Sequence, residues 1–211
     1  MMTALKSSEL FGLLGSMYLC KPTREALAGW RAVLAKGAPA VPEELEEALE
    51  RINVESPQEL EDLLWDYTRL FLGPYRLPCP PWESVYASPK KLLMQEAYDT
   101  VKAMYAQAGV EVGDPNVLAD HVGAELNFQA ILLERADRAA ADEQTYRQRA
   151  EQFRNEHLRN WIPRFTADVE DAADSDLYRA LARATRHIVL DLGKEHDSVS
   201  LAPPDGPAPL A

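Results

Sequence analysis

Ser56-Pro-Gln-Glu-Leu60-Glu-Asp-Leu-Leu64-Trp-Asp-Tyr-Thr-Arg-Leu70-Phe-Leu-Gly73 decides the fold class. Ser56 can cap a first turn, Pro57 suits the first helical position, and Glu59 completes a capping box. Gly73-Pro74 stops the helix. Between these ends Leu60, Leu63, Leu64, Tyr67, Leu70 and Phe71 fall on one apolar stripe, the pattern of a helix facing a bundle core.

The same period extends in both directions. Upstream, Leu10, Leu13, Leu14 and Met17 recur at helical spacing, as do Leu27, Trp30 and Leu34 after Pro22-Thr23, and Leu45, Leu49 and Ile52 mark a third helix. Downstream, Ser88-Pro89 opens a helix carrying Leu92, Leu93, Val101, Met104 and Tyr105 as far as Gly109. Asp114-Pro115 gives the same start signal. Leu118, Val122, Leu126, Gln129 and Leu133 then share one side, with Asp120, His121 and Glu125 near the first half. A helix through Tyr146, Ala150, Phe153 and His157 leads to Trp161, and one through Leu177, Leu181, Ala184 and Ile188 leads to Gly193. Sustained alternation, hairpin dipeptides between β-branched runs and internal repeats are missing. The expectation is an all-α, single-domain helical bundle over residues 1–197. The tail 198–211, with Pro203, Pro204, Pro207 and Pro209, has too little to bury and is expected to be disordered.

Composition narrows the function. The chain has 211 residues, 46% of them hydrophobic, which suffices for one sizeable core. Its 22 basic and 34 acidic residues give a formal net charge of -12, a field that repels nucleic acid and acidic lipid and suits a basic partner. No secretion-type start is seen, and no stretch approaches the ~20 apolar residues of a membrane span. A soluble, cytoplasmic protein is expected. Cys20 and Cys79 are too few for a four-ligand zinc site and read as reduced thiols.

One stretch breaks the helical pattern: Gly73-Pro-Tyr-Arg-Leu-Pro-Cys-Pro-Pro-Trp82-Glu-Ser-Val-Tyr86-Ala87. Prolines at 74, 78, 80 and 81 hold it extended and lower the entropy it loses on ordering, so Trp82 and Tyr86 can be held in fixed positions. On pattern alone Trp82 plugs the bundle and the prolines steady a long loop.

Tyr67-Thr-Arg-Leu-Phe-Leu-Gly73, Pro80-Pro-Trp-Glu-Ser-Val-Tyr86, Asp120-His121 with Glu125-Leu126-x-Phe128, and Phe153-x-x-x-His157-Leu158-x-x-Trp161 together resemble the TorD/DmsD branch of the redox-enzyme maturation chaperones. The likeness runs from about Leu10 to Leu192, and its most specific element is Pro-Pro-Trp-Glu-Ser-Val-Tyr. It implies an all-helical cytoplasmic chaperone for molybdopterin enzymes of the dimethyl sulfoxide reductase type. Such chaperones bind the enzyme's twin-arginine signal peptide, and some its apo body, until the cofactor is inserted. The signal-peptide-binding residues expected on this basis are Trp82, Glu83, Tyr86, Asp120, His121, Glu125 and Phe128, supported by Tyr67, Phe71, Gly73, Pro80 and Pro81. Their chemistry suits such a peptide, because a carboxylate can meet a guanidinium with two hydrogen bonds and aromatic side chains can receive the apolar stretch behind the arginines. Simpler readings exist for three of them: a capping or solvated Glu83, a first-turn acid at Asp120 and core packing for Phe128.

Catalysis has little support. His121 and Glu125 share a helix face, but two ligands do not make a zinc site, and no His-Glu-x-x-His completes one. His157, beside Phe153 and Trp161, reads as a satisfied interior histidine. No phosphate loop or dinucleotide fingerprint occurs, and the acidic balance offers no cradle for the guanine nucleotide suggested for some relatives. No metal and no organic cofactor is expected. The competing readings are an acidic helical adaptor that docks a folded partner, and a nitrate-reductase-type assembly chaperone. Monomer and dimer remain open, as does the identity of the client.

Overall fold

A computed structural model describes residues 5–37, 41–73, 76–138 and 141–191. Pro74, Tyr75, Gly193 and the 198–211 tail lie outside these residues. The helices are α1 (Ser7–Leu19), α2 (Arg24–Leu34), α3 (Glu43–Arg51), α4 (Pro57–Tyr67), α5 (Glu83–Ala87), α6 (Glu96–Gln107), α7 (Val122–Arg138), α8 (Glu143–Phe153), α9 (Arg159–Ala172) and α10 (Asp176–Asp191). Among the described residues there is no strand, only one isolated bridge, so the all-α expectation is met.

Local chemistry explains the starts of α2 and α4. Ser56 Oγ accepts from Glu59 N–H at 3.3 Å, as the capping signal requires, although the Glu59 carboxylate turns to Asn53 N–H at 2.9 Å. Thr23 caps α2 through Ala26 N–H at 3.2 Å. The last turn after α4, Thr68–Leu72, widens to a π turn. A second π turn, Arg154–Leu158, joins α8 to α9 without a break. The stripe on α4 buries Leu63, Tyr67, Leu70 and Phe71. Leu64 is a correction: it faces outward with Trp65, which is 69% exposed.

The apolar helix α1 is the central member and packs most extensively against α7. Two glycines set how close they come. A Cβ on Gly123 would stand 2.7 Å from Gly15 O, and one on Gly15 would stand 2.9 Å from Gly123 O. Tyr18, Tyr67, Phe71, Phe165 and Tyr178 fill the adjoining core with edge-on and tilted contacts, such as Tyr18 on Phe71 at 5.7 Å. The buried Asp66 carboxylate accepts from Ser175 N–H at 2.8 Å and ties α4 to the turn between α9 and α10.

Two expected helix starts are corrected. Ser88-Pro89 opens a turn, with Lys91 N–H donating to Ser88 O, and α6 begins only at Glu96. Lys91 and Met94 sit at φ 51° and 55°, which interrupts any helix, and Leu92, Leu93 and Met94 are exposed. Asp114-Pro115 likewise forms a turn, held by Asn116 N–H on Asp114 Oδ1 at 2.9 Å, and α7 begins at Val122. The residues just before α7 are taken by a backbone partner far away in sequence.

Candidate functional site

That partner is the proline-rich loop. Pro81 O accepts from Val122 N–H and Asp120 O accepts from Glu83 N–H, each at 2.9 Å, so Trp82 and His121 form an antiparallel bridge. Asp120 then caps the short helix α5 from outside it: Oδ2 accepts from Ser84 N–H at 3.0 Å and from the Ser84 hydroxyl. Its carboxyl is raised above the usual range chiefly by burial, a shift that the Ser84 bonds oppose. His121 Nδ1 accepts from Gly123 N–H at 3.1 Å, and burial pushes its pKa down to about 4, so it is a neutral brace at pH 7.

The remaining acids are also internal. Glu83, 3% exposed, bonds His157 Nδ1 through Oε2 at 2.8 Å. Glu125 is fully buried, and its Oε2 accepts from Trp161 Nε1 at 3.0 Å. Burial, and then the neighbouring Glu83 charge, hold the Glu125 carboxyl well above the usual range. The expected trio of carboxylates is therefore brought together, as a buried cluster and not as an open row on the surface. Phe128 packs between Tyr105 at 4.3 Å and Phe153 at 4.8 Å and belongs to the core.

Two adjoining clefts flank α5. The first, about 1160 Å³, is bounded by the loop and α9, with Pro78, Pro80, Trp82, Val85, Tyr86 and Leu93 on its walls. Tyr86 lies against Trp161 at 5.5 Å, donates to Asp168 Oδ2 at 3.0 Å and lies under the Arg164 guanidinium. Arg76, Lys91 and Arg164 outnumber Asp168 here, so this cleft is basic in an acidic protein. The second, about 720 Å³, runs between α5, α6 and the π turn before α9, and its lining includes Glu83, Glu96, Gln152, Glu156, His157 and Asn160. It is the acidic one. Trp82 and Tyr86 are half-buried on the first side and Glu83 forms part of the second.

The supporting residues divide. Tyr67, whose hydroxyl donates to Tyr18 O at 3.0 Å, and Phe71 are core members beneath the loop. Pro81 is buried at the bridge and Pro80 lines the first cleft. Gly73 has φ -56°, open to any residue, and simply follows the π turn. Sequence reasoning did not identify Ser84, Trp161, Arg164 and Asp168 as site members. Ser84 was visible inside the Pro-Pro-Trp-Glu-Ser-Val-Tyr motif, whereas Arg164 and Asp168 carry no local signal because their partner Tyr86 is remote.

A family model described as the nitrate reductase delta subunit matches residues 19–167. The chain belongs to this family, and within it the resemblance to the TorD/DmsD redox-enzyme maturation chaperones holds. The Tat proofreading chaperone DmsD of Salmonella typhi is 32% identical over 127 residues, 60% of this chain and 58% of that protein, so the match spans less than two thirds of the relative. The chaperone protein TorD of Vibrio atlanticus is 24% identical over 189 residues, 83% of this chain and 87% of that one. The fold matches a crystal structure from Archaeoglobus fulgidus named as a redox enzyme maturation protein. Its TM-score is 0.57 at 22% identity, covering 85% of this chain and 89% of that one. Among the described residues no helix is long and apolar enough to cross a membrane.

Proposed function

We propose that this protein is a cytoplasmic chaperone that binds the twin-arginine signal peptide, the apo form, or both, of a molybdopterin oxidoreductase of the dimethyl sulfoxide reductase type, assisting cofactor insertion and delaying export. The observation that carries this reading is the pair of clefts on either side of α5, one aromatic and one acidic. A twin-arginine leader has the same two parts, guanidinium groups followed by an apolar stretch. Arg76, Lys91 and Arg164 repel arginine from the aromatic cleft, while Glu96 and Glu156 attract it to the other, so charge sets the direction in which the peptide lies. The names of the DmsD and TorD relatives support the same role. Contact with the apo body finds support in the outward face of α4 and its π turn, where Leu64, Trp65 and Leu72 are exposed. The work assigned to Trp82 and Tyr86 is recognition, and none of the site residues is assigned a catalytic step.

Trp82→Ala tests the aromatic half. Half-buried in the free protein, Trp82 gains further apolar contact when a peptide covers it, and its loss should cost about 2 kcal/mol, roughly thirtyfold in affinity. Fluorescence anisotropy with a labelled leader measures this. The loss should be nearly independent of salt, since it is apolar. An unchanged affinity in the folded variant removes the aromatic cleft from the binding surface.

A further inference from the structure

The aromatic cleft carries a charge that an apolar guest does not use. Arg76, Lys91 and Arg164 line it against one acid, Asp168, which already accepts from the Tyr86 hydroxyl. Arg164 donates to Tyr86 O and covers that ring, and among the described residues neither Arg76 nor Lys91 enters an ion pair. The apolar stretch of a leader has no anion to offer them. Between these cations stand Pro78, Pro80, Trp82 and Tyr86, a proline-and-aromatic surface of the kind on which extended proline-rich segments dock. The occupant that fits both features is extended, rich in proline and acidic.

The chain itself contains such a segment. Beyond the end of α10 at Asp191 the sequence runs on to Leu201-Ala-Pro-Pro-Asp205-Gly-Pro-Ala-Pro-Leu210, where Asp205 is the one charge among four prolines. Residues 192–211 hold Glu195, Asp197 and Asp205 against Lys194, so the acidic cleft repels the segment and the basic one attracts it. Its starting point is close by. Arg159, at the start of α9, donates to Val189 O at 3.4 Å and Leu190 O at 3.1 Å, so α10 ends beside the helix whose Arg164 and Asp168 line the basic cleft. Arg164 lies about 8 Å further along that helix, whereas residues 192–200 can extend over about 30 Å.

We propose that residues 201–210 dock in the aromatic cleft of their own chain, with Asp205 against its cations, and are displaced when the apolar stretch of a client leader enters. The displacement rests on the leader-binding reading above, and the docking does not. A connection of this length supplies an effective concentration on the order of 1 mM, so a contact with a Kd of about 0.2 mM covers the cleft most of the time and weakens the leader about sixfold.

Spin labelling tests this in the full-length protein. A nitroxide is attached at Ser200→Cys, with the exposed Cys20 replaced by serine and the buried Cys79 left in place. Proton–nitrogen NMR follows the Trp82 indole N–H, identified by its loss in Trp82→Phe, and the Asn160 amide in the acidic cleft. The Trp82 signal should broaden strongly and the Asn160 signal weakly, although Asn160 adjoins Arg159, where α10 ends. Added leader should restore Trp82. Asp205→Lys should remove most of the broadening and, without the nitroxide, bind the leader about sixfold more tightly than wild type. Equal broadening of the two signals, or of neither, overturns the docking and leaves the chaperone reading standing. Undiminished broadening in Asp205→Lys overturns the charge pairing. Broadening of Trp82 in isotope-labelled chains that carry no nitroxide, when mixed with nitroxide-bearing ones, assigns the cleft to a second copy and overturns docking within one chain. A leader that binds with the broadening intact overturns the displacement. Failure of both wild type and Asp205→Lys to bind any leader overturns the chaperone reading and with it the displacement, while the broadening still decides the docking.

Discussion

Gly123→Ala should destabilise the protein by about 3 kcal/mol, lowering its melting temperature by roughly 6–10 °C. The new methyl carbon would press on Leu19 Cγ and lie 2.7 Å from Gly15 O. Leu19 can swing aside. The Gly15 carbonyl belongs to the backbone of α1 and cannot, so the two central helices must separate along their whole contact. Gly29→Ala, in the exposed middle of α2, is the control with the opposite sign. Its added carbon meets nothing within 4 Å, so it should stabilise by up to about 1 kcal/mol through helix propensity. Urea unfolding of the pair measures both. Equal and small effects would mean that α1 and α7 do not cross at their glycines.

Asp120→Ala should cost about 2–3 kcal/mol and, with it, most of the leader affinity. The substitution strips the fully buried Ser84 N–H and hydroxyl of their acceptor at the start of α5, and each buried donor left unpaired costs about 1–3 kcal/mol. Relief from burying a carboxyl offsets part of this, since burial already raises Asp120 above its ordinary range. The larger consequence is positional. Without its cap, α5 is held to α7 by the two backbone bonds of the bridge, and α5 is the wall between the clefts. Asp120→Asn, which keeps one acceptor, should fall between wild type and alanine in both stability and affinity. A folded Asp120→Ala protein with undiminished leader binding would show that the position of α5 does not matter to the partner.

These two residues mark what could be read from the chain. Periodicity and caps placed α1, α2, α4 and α10 well, because a helix of that length is specified by residues three and four apart. The failures at 88–95 and 114–121 differ in cause. Both segments look like helix starts locally, but after α5 ends at Ala87 the chain turns through Lys91 and Met94 at positive φ, whereas the 119–121 segment pairs with Pro81–Glu83, a contact that no window of neighbouring residues contains. The acids were legible as a group and not in their arrangement. Ser84 lies 36 residues from Asp120, Trp161 lies 36 from Glu125, and His157 lies 74 from Glu83, so their burial and pairing become visible only once the helices are assembled. The basic lining of the aromatic cleft was hidden for the same reason beneath a net charge of -12.

The most direct measurement of the proposed function is isothermal titration of the wild-type protein with two leader peptides that differ only in Arg-Arg against Lys-Lys. With arginine directed to the acidic cleft and the apolar stretch to Trp82 and Tyr86, the Arg-Arg leader should bind at least about tenfold more tightly, with one peptide per chain. Equal affinity for the two peptides, or binding of neither, would contradict the account.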